Sequence, residues 1–241
     1  MHKVMLGAVA LLAGVMLAAH GSAYEGVDSV ADGGSISGDV KYQGDAPAPA
    51  KIAVTKDNDV CGQEKTSPDL IVGADKGIAN VVVRISNIQK GKKLAPAATP
   101  PTFDQKGCEY NPHVLAFPAG STVQILNSDG ILHNVHTTST ANPSFNQAQP
   151  KFKKVIEAKV EKPEMPIKVQ CDAHGWMHAW WISEEHPYYA VTDAKGAFKI
   201  ADVPPGDYEL EFWHETLGKQ TQKVSVKAKE DAKVSVTMTK K

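Results

Sequence analysis

The chain has 241 residues, 42% hydrophobic and 22% charged, with a formal net charge of -1. That composition excludes a disordered chain, a collagen and a polytopic membrane protein. Lys+Arg is 26 against Asp+Glu 27, and without a basic stripe the chain is a poor binder of nucleic acid.

Residues 1–23 read as a secretory signal peptide. Lys3 supplies a positive start, Val4 to Ala19 an uncharged apolar run, and Gly21-Ser22-Ala23 small residues for cleavage after Ala23. The run is short for a bilayer span; an uncleaved anchor is the rival reading. No Cys follows it, which argues against a lipid anchor. The expected address is periplasmic or extracellular, where disulfides persist, with no integral membrane segment after cleavage.

The remainder reads as strands. Ser35-Ile36-Ser37-Gly38-Asp39-Val40 is followed by a connector over 46–50, a Val-rich stretch from Ala79 to Ile85, and a Pro-rich connector over 94–102. Val123 and Ile125 then alternate with polar Gln124, and Ile167, Val169 and Cys171 with Lys168 and Gln170. Further on, Tyr208, Leu210 and Phe212, then Val224 and Val226, then Val234, Val236 and Met238 repeat the alternation. Each marks a strand with one buried face. Pro118-Ala119-Gly120, Ser128-Asp129-Gly130, Asp193-Ala194-Lys195-Gly196 and Pro204-Pro205-Gly206-Asp207 supply the turns. Short strands with Gly/Pro turns and no long amphipathic helix define an all-β chain of the β-sandwich class.

Thr192-Asp193-Ala194-Lys195-Gly196-Ala197-Phe198, leading to Val203-Pro204-Pro205-Gly206-Asp207-Tyr208, resembles the carboxypeptidase regulatory-like, transthyretin-related sandwich. The resemblance implies a Gly-x-Ile-x-Gly-x-Val strand and a Val-rich strand before it. Residues 35–40 and 79–85 fit those roles, about a hundred residues upstream. One domain inserted into a loop of another accounts for the gap: 34–95 and 186–241 form the smaller, discontinuous sandwich, and 103–184 the inserted one. Two tandem sandwiches are the alternative.

Six of the seven His beyond residue 23, all but His214, fall between His113 and His186, as does Cys171. Cys171-Asp172-Ala173-His174-Gly175-Trp176-Met177-His178 places a thiolate, an imidazole and a thioether within seven residues, directly after a strand. Two His, one Cys and a weak axial Met make up the blue-copper electron-transfer set, since thiolate and thioether favour Cu(I) while imidazole suits either oxidation state.

His133-Asn134-Val135-His136 followed by Cys171-x-x-His174-x-x-Met177 resembles the cupredoxin family, and the short loop is most similar to amicyanin. Gly175 and Trp176 stand where that family usually has Pro and Phe. The resemblance implies a Greek-key sandwich and one Cu(I)/Cu(II) ion held by His133, Cys171, His174 and Met177. It also implies that Asn134 ties the upstream loop to the Cys loop. His136 and His178 are alternative ligands; His136 points away from His133 if both share a strand, and His178 is expected to face solvent. His174 is expected to present a ring edge to water. His113, His186 and His214 read as structural or surface residues, or as members of a second metal site. Trp176, Trp180 and Trp181 read as a docking patch, with Trp180 or Trp181 as core. With Cys171 on copper, Cys61 and Cys108 remain as a disulfide pair in an oxidising compartment.

The expected function is a one-electron carrier, not an enzyme, serving a redox partner such as a c-type cytochrome or a dehydrogenase. Copper delivery, a surface binding module and a small copper oxidoreductase are the competing readings. Cys-x-x-Cys-His is absent, which removes c-type haem. Gly-rich phosphate loops and Gly-x-Ser-x-Gly are absent as well.

Overall fold

A computed structural model describes residues 24–240; the signal-peptide reading lies outside them. The described residues are all-β, with one short helix among them, Asn58–Cys61. Among the described residues no helix is long and apolar enough to cross a membrane.

Two sandwiches share the chain. The inner one pairs a sheet of Val155–Val160, Ser121–Asn127, Thr102–Gln105 and Tyr110–Asn111 with a second sheet. The second runs Asn146–Gln149, His133–Thr138, Glu164–Gln170, His178–Glu184 and Val114–Pro118. The alternating strands explain the packing: Val123 and Ile125 from one sheet meet Val135, Ile167, Val169 and Trp181 from the other in one buried cluster. Trp181 is fully buried and packs edge-on to Phe103 and Phe117.

The outer sandwich is built from both ends of the chain. Its first sheet runs Tyr189–Val191, Val82–Ile85, Gly206–His214 and Gly218–Val226. Its second places Gly34–Tyr42 between Ala197–Val203 and Asp231–Met238. Ile36 and Val40 face Phe212, Leu210 and Val83 across the core. Gly38 has to be glycine, because a Cβ there would lie 1.7 Å from the Val234 carbonyl oxygen. Gly196, at φ +77°, closes the Asp193 turn in the left-handed region.

The units meet through a small apolar cluster of Val82, Val114 and Ile182, extended by Trp180 against Trp213. Beside it Arg84 Nη1 donates to both oxygens of Glu184 at 3.2 Å. One segment departs from the expected division at residues 95 and 103. Val54 and Cys61, upstream of it, pack in the inner core, and Cys61 is bonded to Cys108. The chain from 51 to 67 therefore lies over the inner sandwich.

Candidate metal centre

Two strands and the loops at their ends build the site. His133 opens the strand His133–Thr138 after the Ser128-Asp129-Gly130 turn, and Cys171 directly follows the strand Glu164–Gln170. Period-two alternation carries Cys171 onto the same buried face as Ile167 and Val169. The chain then turns tightly: the Met177 N–H donates to the His174 carbonyl at 2.9 Å, and the Cys171 N–H to the Met177 carbonyl at 3.1 Å. This loop brings His174 and Met177 back over Cys171. All four side chains are buried, and His133 and His174 are 0% exposed.

The ligand atoms of His133, Cys171 and His174 lie within 4.8 Å of one another. Cys171 Sγ is 3.7 Å from His174 Nδ1, and the two Nδ1 atoms are 3.0 Å apart. Each imidazole is tethered at its far nitrogen: His133 Nε2 is 2.8 Å from Asp129 Oδ2, and His174 Nε2 is 2.9 Å from Asp57 Oδ2. A carboxylate only accepts, so each Nε2 carries the hydrogen and each Nδ1 is left to offer its lone pair. Two such lone pairs 3.0 Å apart beside a sulfur repel unless a cation or a proton lies between them. The donor set of two imidazoles, a thiol and a neighbouring thioether fits copper.

The surroundings move the two imidazoles in opposite directions. Burial pushes the His133 imidazole down, but its bonds to Asp129 and Cys171 outweigh this and raise it. Burial lowers His174 despite Asp57. Burial would raise the Asp129 carboxyl, but His133 and the backbone N–H groups of Cys108 and Gly107 hold it below the usual range.

Asn134 spans the two ligand loops. Its Oδ1 accepts the Asp172 N–H at 3.1 Å, its Nδ2 donates to Asn146, and its carbonyl accepts the Tyr110 hydroxyl at 2.5 Å. His136 lies on the opposite face of its strand, one-third exposed, and pairs with Asp172; it does not join the cluster.

Two expectations require correction. His174 presents no edge to water, because the 57–61 turn covers it and Asp57 caps its Nε2. His178 is only 22% exposed and faces Asp69 and Glu215 rather than solvent. His186 and His214 are buried, and burial lowers both to about 4. Trp176 is half-buried, its Nε1 donating to the Cys108 carbonyl. Asp57 and Asp129, which orient both imidazoles, carry no sequence pattern; only the turn character of Ser128-Asp129-Gly130 marked one of them.

Residues 182–239 match the carboxypeptidase regulatory-like domain family. Strands in that stretch pair with Gly34–Tyr42 and Val82–Ile85 from upstream. No curated protein matches the chain. Among solved structures, a copper-containing nitrite reductase from Thermus scotoductus is 21% identical at a TM-score of 0.33, over 39% of this chain and 25% of that one. The match thus spans a quarter of the reductase. A reduced variant of amicyanin is 19% identical at a TM-score of 0.33, over 36% of this chain and 85% of that one. A purple cupredoxin from Nitrosopumilus maritimus is 20% identical at a TM-score of 0.30, over 35% of this chain and 99% of that one.

Proposed function

We propose that this chain is an exported type 1 copper protein that carries single electrons between redox partners. The observation that carries the reading is the pair of Nδ1 lone pairs converging with the Cys171 sulfur in a buried site. His133, Cys171 and His174 would hold the ion, with Met177 as the weak axial donor. Bound copper would supply a one-electron couple between Cu(I) and Cu(II).

The protein's own part is to hold the donors still. Asp129 and Asp57 fix which nitrogen of each ring is bare, and Asn134 ties the loops that bear His133 and Cys171. Fixed donors need little rearrangement when the charge at the centre changes. Complete burial favours a retained ion over a cargo to be handed on, because none of the four donors faces solvent. It also disfavours an enzyme, which needs a coordination position open to substrate. A c-type cytochrome or a dehydrogenase fits as partner. The periplasm or the outside of the cell fits as the compartment, given the Cys61–Cys108 disulfide.

The test is to add Cu(II) to the purified metal-free chain and record its visible spectrum. An intense thiolate-to-copper band, reversibly bleached by reductant and absent in Cys171→Ser, is the expected result. A Cys171→Ser variant as coloured as the parent would overturn the reading.

A further inference from the structure

A second group of donors lies where the two sandwiches meet. His113 precedes the strand Val114–Pro118, and His178 opens the strand His178–Glu184, both in the inner unit. Glu215 follows the strand Gly206–His214 of the outer unit, and Asp69 lies in the chain that runs between the units. The ligand atoms of His113, His178 and Glu215 lie within 4.8 Å of one another. His113 Nε2 contacts Glu215 Oε1, and His178 Nε2 is 3.4 Å from Glu215 Oε2 and 2.7 Å from Asp69 Oδ1. His113 and Glu215 are only about a tenth exposed.

One detail separates this group from an ordinary ion pair. Asp69 Oδ1 is buried and has no hydrogen-bond partner, although His178 Nε2 is 2.7 Å away. The two atoms are close but wrongly aligned for a proton to join them. A cation between them needs no such alignment. The supporting groups resemble those around a metal: Trp180 Nε1 donates to Glu215 Oε2 at 2.7 Å and fixes the carboxylate. His113 and His178 also line a cavity of about 430 Å³, walled by Pro68, Leu70 and Ile71.

We propose that His113, His178, Glu215 and Asp69 form a second metal site, for a divalent first-row cation such as zinc, bridging the two sandwiches. The donors are two imidazoles and carboxylates with no sulfur, a set that suits Zn²⁺ and related ions. The site is chemically distinct from the thiolate centre and stands or falls independently of it. By joining inner-unit imidazoles to Glu215 of the outer unit and to Asp69 between the units, the ion would also clamp the units together.

The experiment is a Co²⁺ titration of the full chain, followed by visible and near-ultraviolet spectra and by metal counting after dialysis. Cys171→Ser should retain one Co²⁺ with d–d bands and no thiolate charge-transfer band. Adding His178→Ala to Cys171→Ser should abolish that equivalent. Glu215→Gln, which keeps the shape and the Trp180 bond, should weaken it by at least the roughly 10–100-fold that supporting residues command. Circular dichroism of each variant checks folding. Failure of Cys171→Ser to retain any Co²⁺, or undiminished retention in a folded Glu215→Gln, overturns the second site and makes the cluster a proton-linked ion pair. Loss of the thiolate band alone bears only on the copper reading.

Discussion

Asp57 Oδ2 reaches His174 Nε2 at 2.9 Å across 117 residues of chain. The contact comes from the segment held down by the Cys61–Cys108 disulfide, since the Cys61 N–H also donates to the Asp57 carbonyl at 2.9 Å. The other half-cystine leads to the other imidazole: the Cys108 N–H donates to Asp129 Oδ2, which meets His133. One covalent bridge therefore supports the orienting carboxylates of both rings.

Asp57→Ala should loosen His174 without touching a ligand atom. Removing a carboxylate that orients a metal-bound imidazole typically costs 10–100-fold in affinity. We expect a loss of about that size in Cu(II) affinity, measured by competition with a chelator. Asp57→Asn should recover part of it, because its side-chain carbonyl can still accept from Nε2. Equal affinity for the parent and Asp57→Ala would show that the cap is incidental.

Replacing both Cys61 and Cys108 by Ala frees a loop with a sequence separation of 47. Chain entropy alone puts the stability cost at about 4 kcal/mol. Denaturant unfolding measures that cost. Metal affinity should fall as well, since Asp57 and Asp129 both lose their anchor. A stability loss with unchanged affinity would uncouple the bridge from the site.

The interface carries a pH signature. Burial raises Glu184 to about 7, only partly offset by Arg84, with Glu185 and Glu211 nearby raising it further. A raised carboxyl stabilises the fold fully below its unfolded value near 4.5 and loses that contribution as pH rises through 7. The shift corresponds to about 3 kcal/mol. Glu184→Gln removes the titration, so the variant should gain on the parent by up to that amount between pH 4.5 and 8. Urea unfolding at both ends of the range tests it; a difference independent of pH would contradict it. His186 and His214, held near 4 by burial, act in the opposite sense. Their stabilisation is present above 6.5 and declines as pH falls toward 4.

Gly38→Ala should be among the most damaging single methyl additions. Its Cβ would meet the Val234 oxygen at 1.7 Å, so two paired strands must separate. We expect a loss of more than about 3 kcal/mol, read as a lower melting temperature. A near-parental value would mean that the strands part easily.

Much of this architecture was legible in the residues. Alternation exposed the strands because each has one wet face, and the gathering of Cys171, His174 and Met177 was readable because a tight loop brings together side chains from adjacent positions. His133 was legible only through the resemblance of its surrounding residues, since it lies far upstream of the loop that it meets. Asp57 was not: a capping carboxylate contributed from 117 residues away has no local pattern, so the same reading left His174 facing water. The Glu215 cluster was hidden for a related reason, since its donors come from two units and meet only after docking.

Along most of its length the strand Gly34–Tyr42 pairs with Ala197–Val203 and Asp231–Met238, both of which emerge late in synthesis; only its end, at Val40 and Tyr42, also bonds to Lys76 and Ile78. Ser35 pairs in register with Asp231. Until that last strand arrives, Gly34–Tyr42 keeps a largely bare edge that invites aggregation or cleavage. The inner sandwich has all its strands by Glu184 and can form in the meantime. A chain cut short before residue 231 therefore keeps that edge open, so completeness of the far end decides whether the near end is covered.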